Sequence, residues 1–301
     1  MTTNAEIRDQ LEAIDTGIYY DDKELKMDNF GSFTYCKKAL PSNTDLQKIL
    51  DEDSEGLHPK KLMARKIDLS FDDSFFDLDG EFNNNFMFLG INVAARSSDY
   101  TDKDGKKMKG NNLAGWKNFH DLENYQNTFK LYLQINQEKF KGCYITDLIK
   151  NSVDSLSGKV LRNFFLEDKK NNSFIHNNDE AKEERLKSYN KWFNSDDDPK
   201  YSTEELKELL KQNEIIFNKS IELFVKECNI IKPKQLVVFG NDAHTALNLV
   251  KKTQTVKEND SKKDTVNISN LIDNVLWLEH YANVKSFAKW FKEQPSEHVS
   301  K

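Results

Sequence analysis

The chain has 301 residues, a formal net charge of −6, 37% hydrophobic residues with 20 phenylalanines, and 31% charged residues. That length allows one large domain or two small ones, and the apolar content is enough for a real core. The negative balance argues against a protein that coats nucleic acid, although phosphate contacts are local and a basic patch suffices for a specific DNA enzyme. No apolar run approaches the ~20 residues that span a bilayer. The first residues, Met1 to Glu6, lack the basic region and apolar core of a signal peptide. Cys36, Cys143 and Cys228 are far apart and odd in number. They read as buried thiols of a cytoplasmic protein, not as a disulfide framework or metal motif. No metal, cofactor or membrane partner is expected.

Residues 1–80 are polar and mixed, and read as an N-terminal extension. Ala5 to Ile14 has helical spacing at Ile7, Leu11 and Ile14. Leu46 to Leu50 predicts a second short helix behind Ser42 or Asn43. Lys66 to Phe71 alternates like an edge strand. The central stretch is Asn85 to Asn92, where Phe86 to Leu89 forms a continuous apolar run that predicts a fully buried strand. Gly90 is read as a tight turn, with Asn92 just past the strand end. A glycine- and lysine-rich loop follows from Ser97 to Gly115. Its Lys103, Lys106, Lys107 and Lys109, with Arg96 before and Lys117 after, are either a solvated loop or a local basic surface.

Tyr125 to Gln137 predicts a helix. Gly142 to Lys150 starts as a second buried strand and ends in polar Thr146 and Asp147. Residues 151–213 are highly charged and read as an insertion of loops and exposed helix. Ser202-Thr203-Glu204-Glu205 opens a helix reaching about Cys228, and Pro233 stops the chain before the next strand. That strand is Gln235 to Gly240, followed by a helix capped at Asn241-Asp242. A lysine-rich loop spans Lys251 to Lys263. Val275 to His280 is a fourth strand, and Lys285 to Phe291 a last helix opened near Asn283.

Strand and helix alternate four times, which predicts a three-layer αβα fold around a mostly parallel four-stranded sheet at residues 81–301. The strand ends carry Asn92, Asp147, Gly240-Asn241 and His280. Ligands of open α/β sheets bind outside that edge.

These blocks resemble the uracil-DNA glycosylase superfamily. Gly90 to Ser98 is similar to the GINPGLSS segment of the mismatch-specific branch, with Val93 and Ala94 in place of Pro-Gly. Tyr144 to Lys150 is similar to the YITNVVK segment of the thermostable, iron–sulfur branch. Leu236 to Leu247 matches its strand, glycine and helix. His280-Tyr281-Ala282-Asn283-Val284 takes the place of the HPSPL motif. The resemblance covers residues 84–291. The four cysteines of the iron–sulfur branch are not matched, so it implies no cluster.

The resemblance implies a DNA glycosylase that cleaves the bond between sugar and an extruded uracil or related base. It assigns water positioning to Asn92. His280 becomes the donor to a carbonyl oxygen of the departing base. Asp147 stands where related enzymes read the base edge with Asn. An ionised Asp only accepts hydrogen bonds, so it suits an exocyclic amino group better than uracil. Asp147 as a helix cap is the alternative. Phe119 and Trp116 are candidates for the ring on which the base stacks; packing in the core is the alternative for both. Arg96, Ser97, Val284 and Lys285 fall in DNA-contacting positions. Val284 is shorter than the wedging leucine, and Ala282 lacks the phosphate-binding serine hydroxyl. The competing readings are a weak or inactive member that binds DNA or a nucleotide in regulation or defence, and a small-molecule α/β enzyme using the same edge. The extension and insertion are possible sites for a protein partner. No phosphate loop, dinucleotide fingerprint or G-x-S-x-G is present.

Overall fold

A computed structural model of the chain describes residues 2–20, 22–38, 67–92, 115–120, 125–135, 137–150, 157–164, 179–194 and 201–281, with a few shorter pieces between them. In chain order the main elements are α1 (Asn4–Glu12), β1 (Gly31–Phe33), β2 (Phe86–Asn92), α2 (Tyr125–Gln134), β3 (Tyr144–Ile149), α3 (Ser157–Phe164), α4 (Asp179–Phe193) and α5 (Thr203–Ile231). They continue with β4 (Gln235–Phe239), α6 (Gly240–Val250), α7 (Gln254–Asp260), α8 (Ile268–Asp273) and β5 (Leu276–Leu278).

Five strands form one sheet in the order β5-β4-β2-β3-β1. The four strands expected from the apolar runs are mutually parallel, and β1 adds antiparallel to β3. The fifth strand comes from the N-terminal stretch, which also gives the core Ile7 and Leu11 of α1. Three residues with one glycine carry almost no periodicity, so β1 is invisible to a pattern search. Its pairing depends on β3, more than a hundred residues later. Of the expected strand Lys66 to Phe71, residues 67–71 are described and do not join the sheet; Phe71 makes a single bridge to Cys36.

Strand β2 is central because it is apolar on both faces. Met87, Phe88 and Leu89 are each fully buried. Met87 and Leu89 enter one cluster with residues of α1, α5, α6 and α8, while Phe88 enters another with Phe129, Leu131, Tyr132 and Ile135 of or beside α2. Complete burial of such side chains contributes about 2–3 kcal/mol each.

Helix α5 shows why its sequence signal was strong. Ser202 and Glu205 form a reciprocal capping box. Phe217, Ile221, Phe224, Cys228 and Ile231 recur at three- and four-residue spacing and are all buried. Lys232 ends the helix in a left-handed conformation (φ 50°), and Pro233 cannot extend it. Thr3 and Glu6 cap α1 in the same way.

Several boundaries differ from expectation. Helix α2 stops at Gln134, and α7 occupies part of the expected loop between Lys251 and Lys263. Helix α6 starts at Gly240 with Phe239 in the cap position, so Asn241 and Asp242 lie in its first turn instead of capping it. The charged insertion contains α3 and α4 and is not all surface: Tyr189 of α4 is buried, and its hydroxyl donates to the Asn163 carbonyl at 2.7 Å. Of the expected helix at Leu46 to Leu50 only Lys48 is described, and it is helical; the expected helix at Lys285 to Phe291 falls outside the described residues. No helix among the described residues is long and apolar enough to cross a membrane.

Candidate functional site at the carboxyl edge of the sheet

The strand order determines where a ligand is expected. From β2 the chain places β3 on one side, then crosses back to place β4 on the other. The sheet therefore has its switch point between β2 and β4, and in open α/β sheets the crevice outside the strand ends at that point takes the ligand. Gly90 of β2 is in register with Asp147 of β3, Leu89 with Val238 of β4, and Phe239 with Leu278 of β5. The ends of the four parallel strands are thus level.

Two glycines at this edge are explained by the side chains that cover them. A Cβ on Gly90 would lie 1.8 Å from Asp147 Oδ1. Gly90 is therefore not a turn. The strand runs on through it to Asn92, and the missing side chain leaves room for the Asp147 carboxylate against the β2 backbone. Gly240 does turn the chain, from β4 into α6, at φ +83°. A Cβ there would lie 2.8 Å from His280 Cβ, so His280 sits directly over the turn. Asp147 is seated on a glycine of the neighbouring strand, and His280 on the glycine that opens α6.

Tyr281 lies beside both. Its ring stacks on His280 with centroids 4.6 Å apart and meets Phe239 edge-on at 5.7 Å. Burial pushes its phenol well above the ordinary value, and the negative charge of Asp147 adds to that. Burial holds the His280 imidazole below its usual 6.5, with Asp242 in the first turn of α6 opposing the shift. His280 is thus a neutral ring at pH 7, able to donate one hydrogen bond. Gln134, at the end of α2, donates to the Glu279 carbonyl at 2.7 Å and steadies the residue before His280. The other amide atom, Gln134 Oε1, is buried without a hydrogen-bond partner among the described residues.

The remaining expected site residues divide. Asn92 is the last residue of β2, in register with Ile149; its side chain lies outside the described residues, as do Arg96, Ser97, Val284 and Lys285. Asp147 is inside β3 and 6% exposed, so it does not cap a helix. Phe119 and Trp116 part company. Phe119 is partly buried against the cluster that contains Phe239 and Tyr281. Trp116 is buried in the opposite cluster, against Phe33 at 5.2 Å and Phe76 at 6.1 Å, with its indole N–H donating to Glu12 at 3.3 Å. Packing takes Trp116 because its polar edge finds a partner there. Of the basic surface, Lys117 is exposed. His244 is in α6, where its carbonyl accepts from Asn248 at 3.1 Å.

Sequence reasoning missed the groups behind the site. Lys150 and Glu227 form an ion pair at 2.8 Å with both side chains fully buried. Tyr144 and Thr146 donate to Glu227 Oε1 at 2.7 and 2.9 Å. Lys150 Nζ also donates to the Asp147 carbonyl at 2.7 Å. A buried lysine was the available signal, since Lys150 directly follows a strand with no exposed position. Its partner, 77 residues away, was not legible. Among the described residues no group of three or more His, Cys, Asp or Glu side chains is arranged to hold a metal ion.

Comparison with known proteins adds no identification: no family model, curated protein or solved structure matches this chain.

Proposed function

We propose that the chain is a DNA glycosylase of the uracil-DNA glycosylase type, hydrolysing the bond between sugar and a flipped pyrimidine. The observation that carries this reading is the placement of Asp147 and His280 on Gly90 and Gly240 at one sheet edge, either side of the switch point. The sequence resemblance gives both residues a part in recognising the base. Helices on both sides of the sheet then read as a three-layer αβα domain. The three free thiols fit a reducing cytoplasm.

In this reading water adds across the glycosidic bond, its hydroxyl going to C1′ and its proton ending on the departing base. Asn92 orients the water. The neutral His280 ring donates to a carbonyl oxygen of the base, a bond that strengthens as the base becomes an anion. Asp147 reads the base edge as an acceptor, which favours a base with an exocyclic amino group over uracil. Phe119 is the candidate stacking ring. DNA is held by Arg96, Ser97, Val284 and Lys285.

The test is release of free base from single- and double-stranded oligonucleotides carrying uracil, mismatched thymine or modified cytosine. Wild-type protein is expected to release one of these, and Asn92→Ala and His280→Ala to abolish it. Binding without release from any substrate would sink the catalytic reading and favour a non-cleaving DNA or nucleotide binder. The substitutions in the HPSPL-like segment, Tyr281 and Ala282, give that second reading its basis. Neither binding nor release would leave a small-molecule enzyme using the same edge.

A further inference from the structure

The buried pair Lys150–Glu227 lies on the reverse side of β3 from the candidate site. Tyr144 and Thr146 point to the face covered by α5, and both reach Glu227. Asp147, the next residue, points to the opposite face, toward Gly90 and Tyr281. Lys150 leaves the strand end and folds back beneath it. Its ammonium donates to Thr146 Oγ1 at 2.5 Å, to the Asp147 carbonyl at 2.7 Å and to Glu227 at 2.9 Å, which uses all three of its protons. The Lys150 backbone N–H is tied to the same helix through Ser220 Oγ at 3.0 Å.

The cluster is built into the edge strand as well. A Cβ on Gly31 of β1 would lie 2.2 Å from the Tyr144 hydroxyl, so that glycine clears the path of the phenol to Glu227. Residues of β1, β3 and α5 therefore serve one ion pair. Stability does not explain it: taking two charges out of water costs about as much as their attraction returns, and apolar replacements of similar volume are often neutral. What the pair does provide is a fixed backbone from Thr146 to Lys150, gripped at the carbonyl of Asp147.

We infer that Lys150 and Glu227 are positioning residues for Asp147, holding its carboxylate against Gly90 at the base-reading position. The functional meaning of that position rests on the glycosylase reading; the positioning itself is measurable without DNA.

The experiment follows the carboxyl carbon resonance of Asp147 by NMR, assigned by its loss in Asp147→Asn, and its midpoint of titration. The double variant Lys150→Met/Glu227→Leu removes both charges together and is expected to fold with the Asp147 resonance and midpoint displaced. Tyr144→Phe and Thr146→Val, which each remove one hydroxyl from the cluster, are expected to move them less in the same direction. They carry the test if the double variant does not fold. Leu223→Ala, a core truncation in the same helix, is the control and is expected to leave both in place. Unchanged Asp147 signals in the folded variants, or an equal displacement in Leu223→Ala, overturn the inference. If base release is found for the wild type, the folded double variant should lose about 100-fold in kcat, the scale of a ~1 Å misplacement. Absence of release in the wild type counts against the glycosylase reading alone.

Discussion

His120, beside the edge strand β1, has Nδ1 at 2.7 Å from the Leu69 carbonyl and Nε2 at 2.7 Å from the Tyr132 hydroxyl, with the Phe33 carbonyl at 3.0 Å. It is 4% exposed. His280, at the opposite edge of the sheet, is only partly buried, rests on a glycine turn and stacks on a tyrosine. Both rings are kept neutral by burial. They differ in what surrounds their polar atoms. The two ring nitrogens of His120 lie within hydrogen-bond distance of the Leu69 and Phe33 carbonyls and the Tyr132 hydroxyl, so that ring fastens three segments together. A buried, fully bonded histidine is a fastening. His280 stands at the carboxyl edge of the sheet, where ligands of open α/β sheets bind. The same residue type gives no such distinction in sequence, where His120 carries no motif at all.

The comparison breaks most sharply on substitution. His280→Ala should reduce base release by at least about 100-fold, as loss of one donor to a developing oxyanion does, while changing unfolding free energy by less than about 1 kcal/mol. His120→Ala should do the reverse, costing about 3 kcal/mol in a urea titration because it empties a buried site and removes the hydrogen-bond partner of a buried carbonyl. Equal stability losses from the two would remove the distinction.

Next in size is Gly90→Ala. The added methyl meets Asp147 Oδ1, so the carboxylate must leave its seat. A stability loss of about 1–3 kcal/mol is expected from overpacking, together with loss of base discrimination. Gly240→Ala should cost about 1–2 kcal/mol, since its φ of +83° is strained for any side chain and the methyl also meets His280. Wild-type discrimination retained in Gly90→Ala would separate Asp147 from base reading.

The smallest effect is on pH. Both histidines sit below their ordinary 6.5 in the folded chain. Below pH 6.5 the unfolded chain takes up protons that the native rings refuse, so stability falls with pH until the folded values are reached. Above 6.5 neither state is protonated and the contribution is flat. Each ring adds at most about 1.4 kcal/mol per pH unit in that window. Urea midpoints measured across it should drop on acidification, and less so in His120→Gln. Base release should show an acid limb below 6.5 that belongs to His280 and persists in His120→Gln.

The pH limb, the glycine seats and the ion pair were not equally visible beforehand. Strands β2 to β5 and helix α5 were legible because their signals are local: apolar runs of four or five residues, a capping box, a proline stop. His280 was legible as a polar residue closing an apolar run; Asp147 was read the same way, but β3 runs on past it to Ile149. The reason for Gly90 was not legible, because it lies in a side chain of another strand, and the turn expected there is a continuing strand. Trp116 and Phe119 looked interchangeable until packing sent them to different clusters.

Local sequence thus determined strands β2 to β5 and helix α5, since apolar runs, caps and stops act through periodicity and backbone sterics within a few residues. Tertiary structure alone decided the pairing of β1 with β3, the meeting of Lys150 with Glu227, and the seating of Asp147 and His280 on two glycines. Those are contacts between residues tens to more than a hundred positions apart. They form only when burial of the apolar strands brings their ends level, and no pattern within one segment encodes its distant partner.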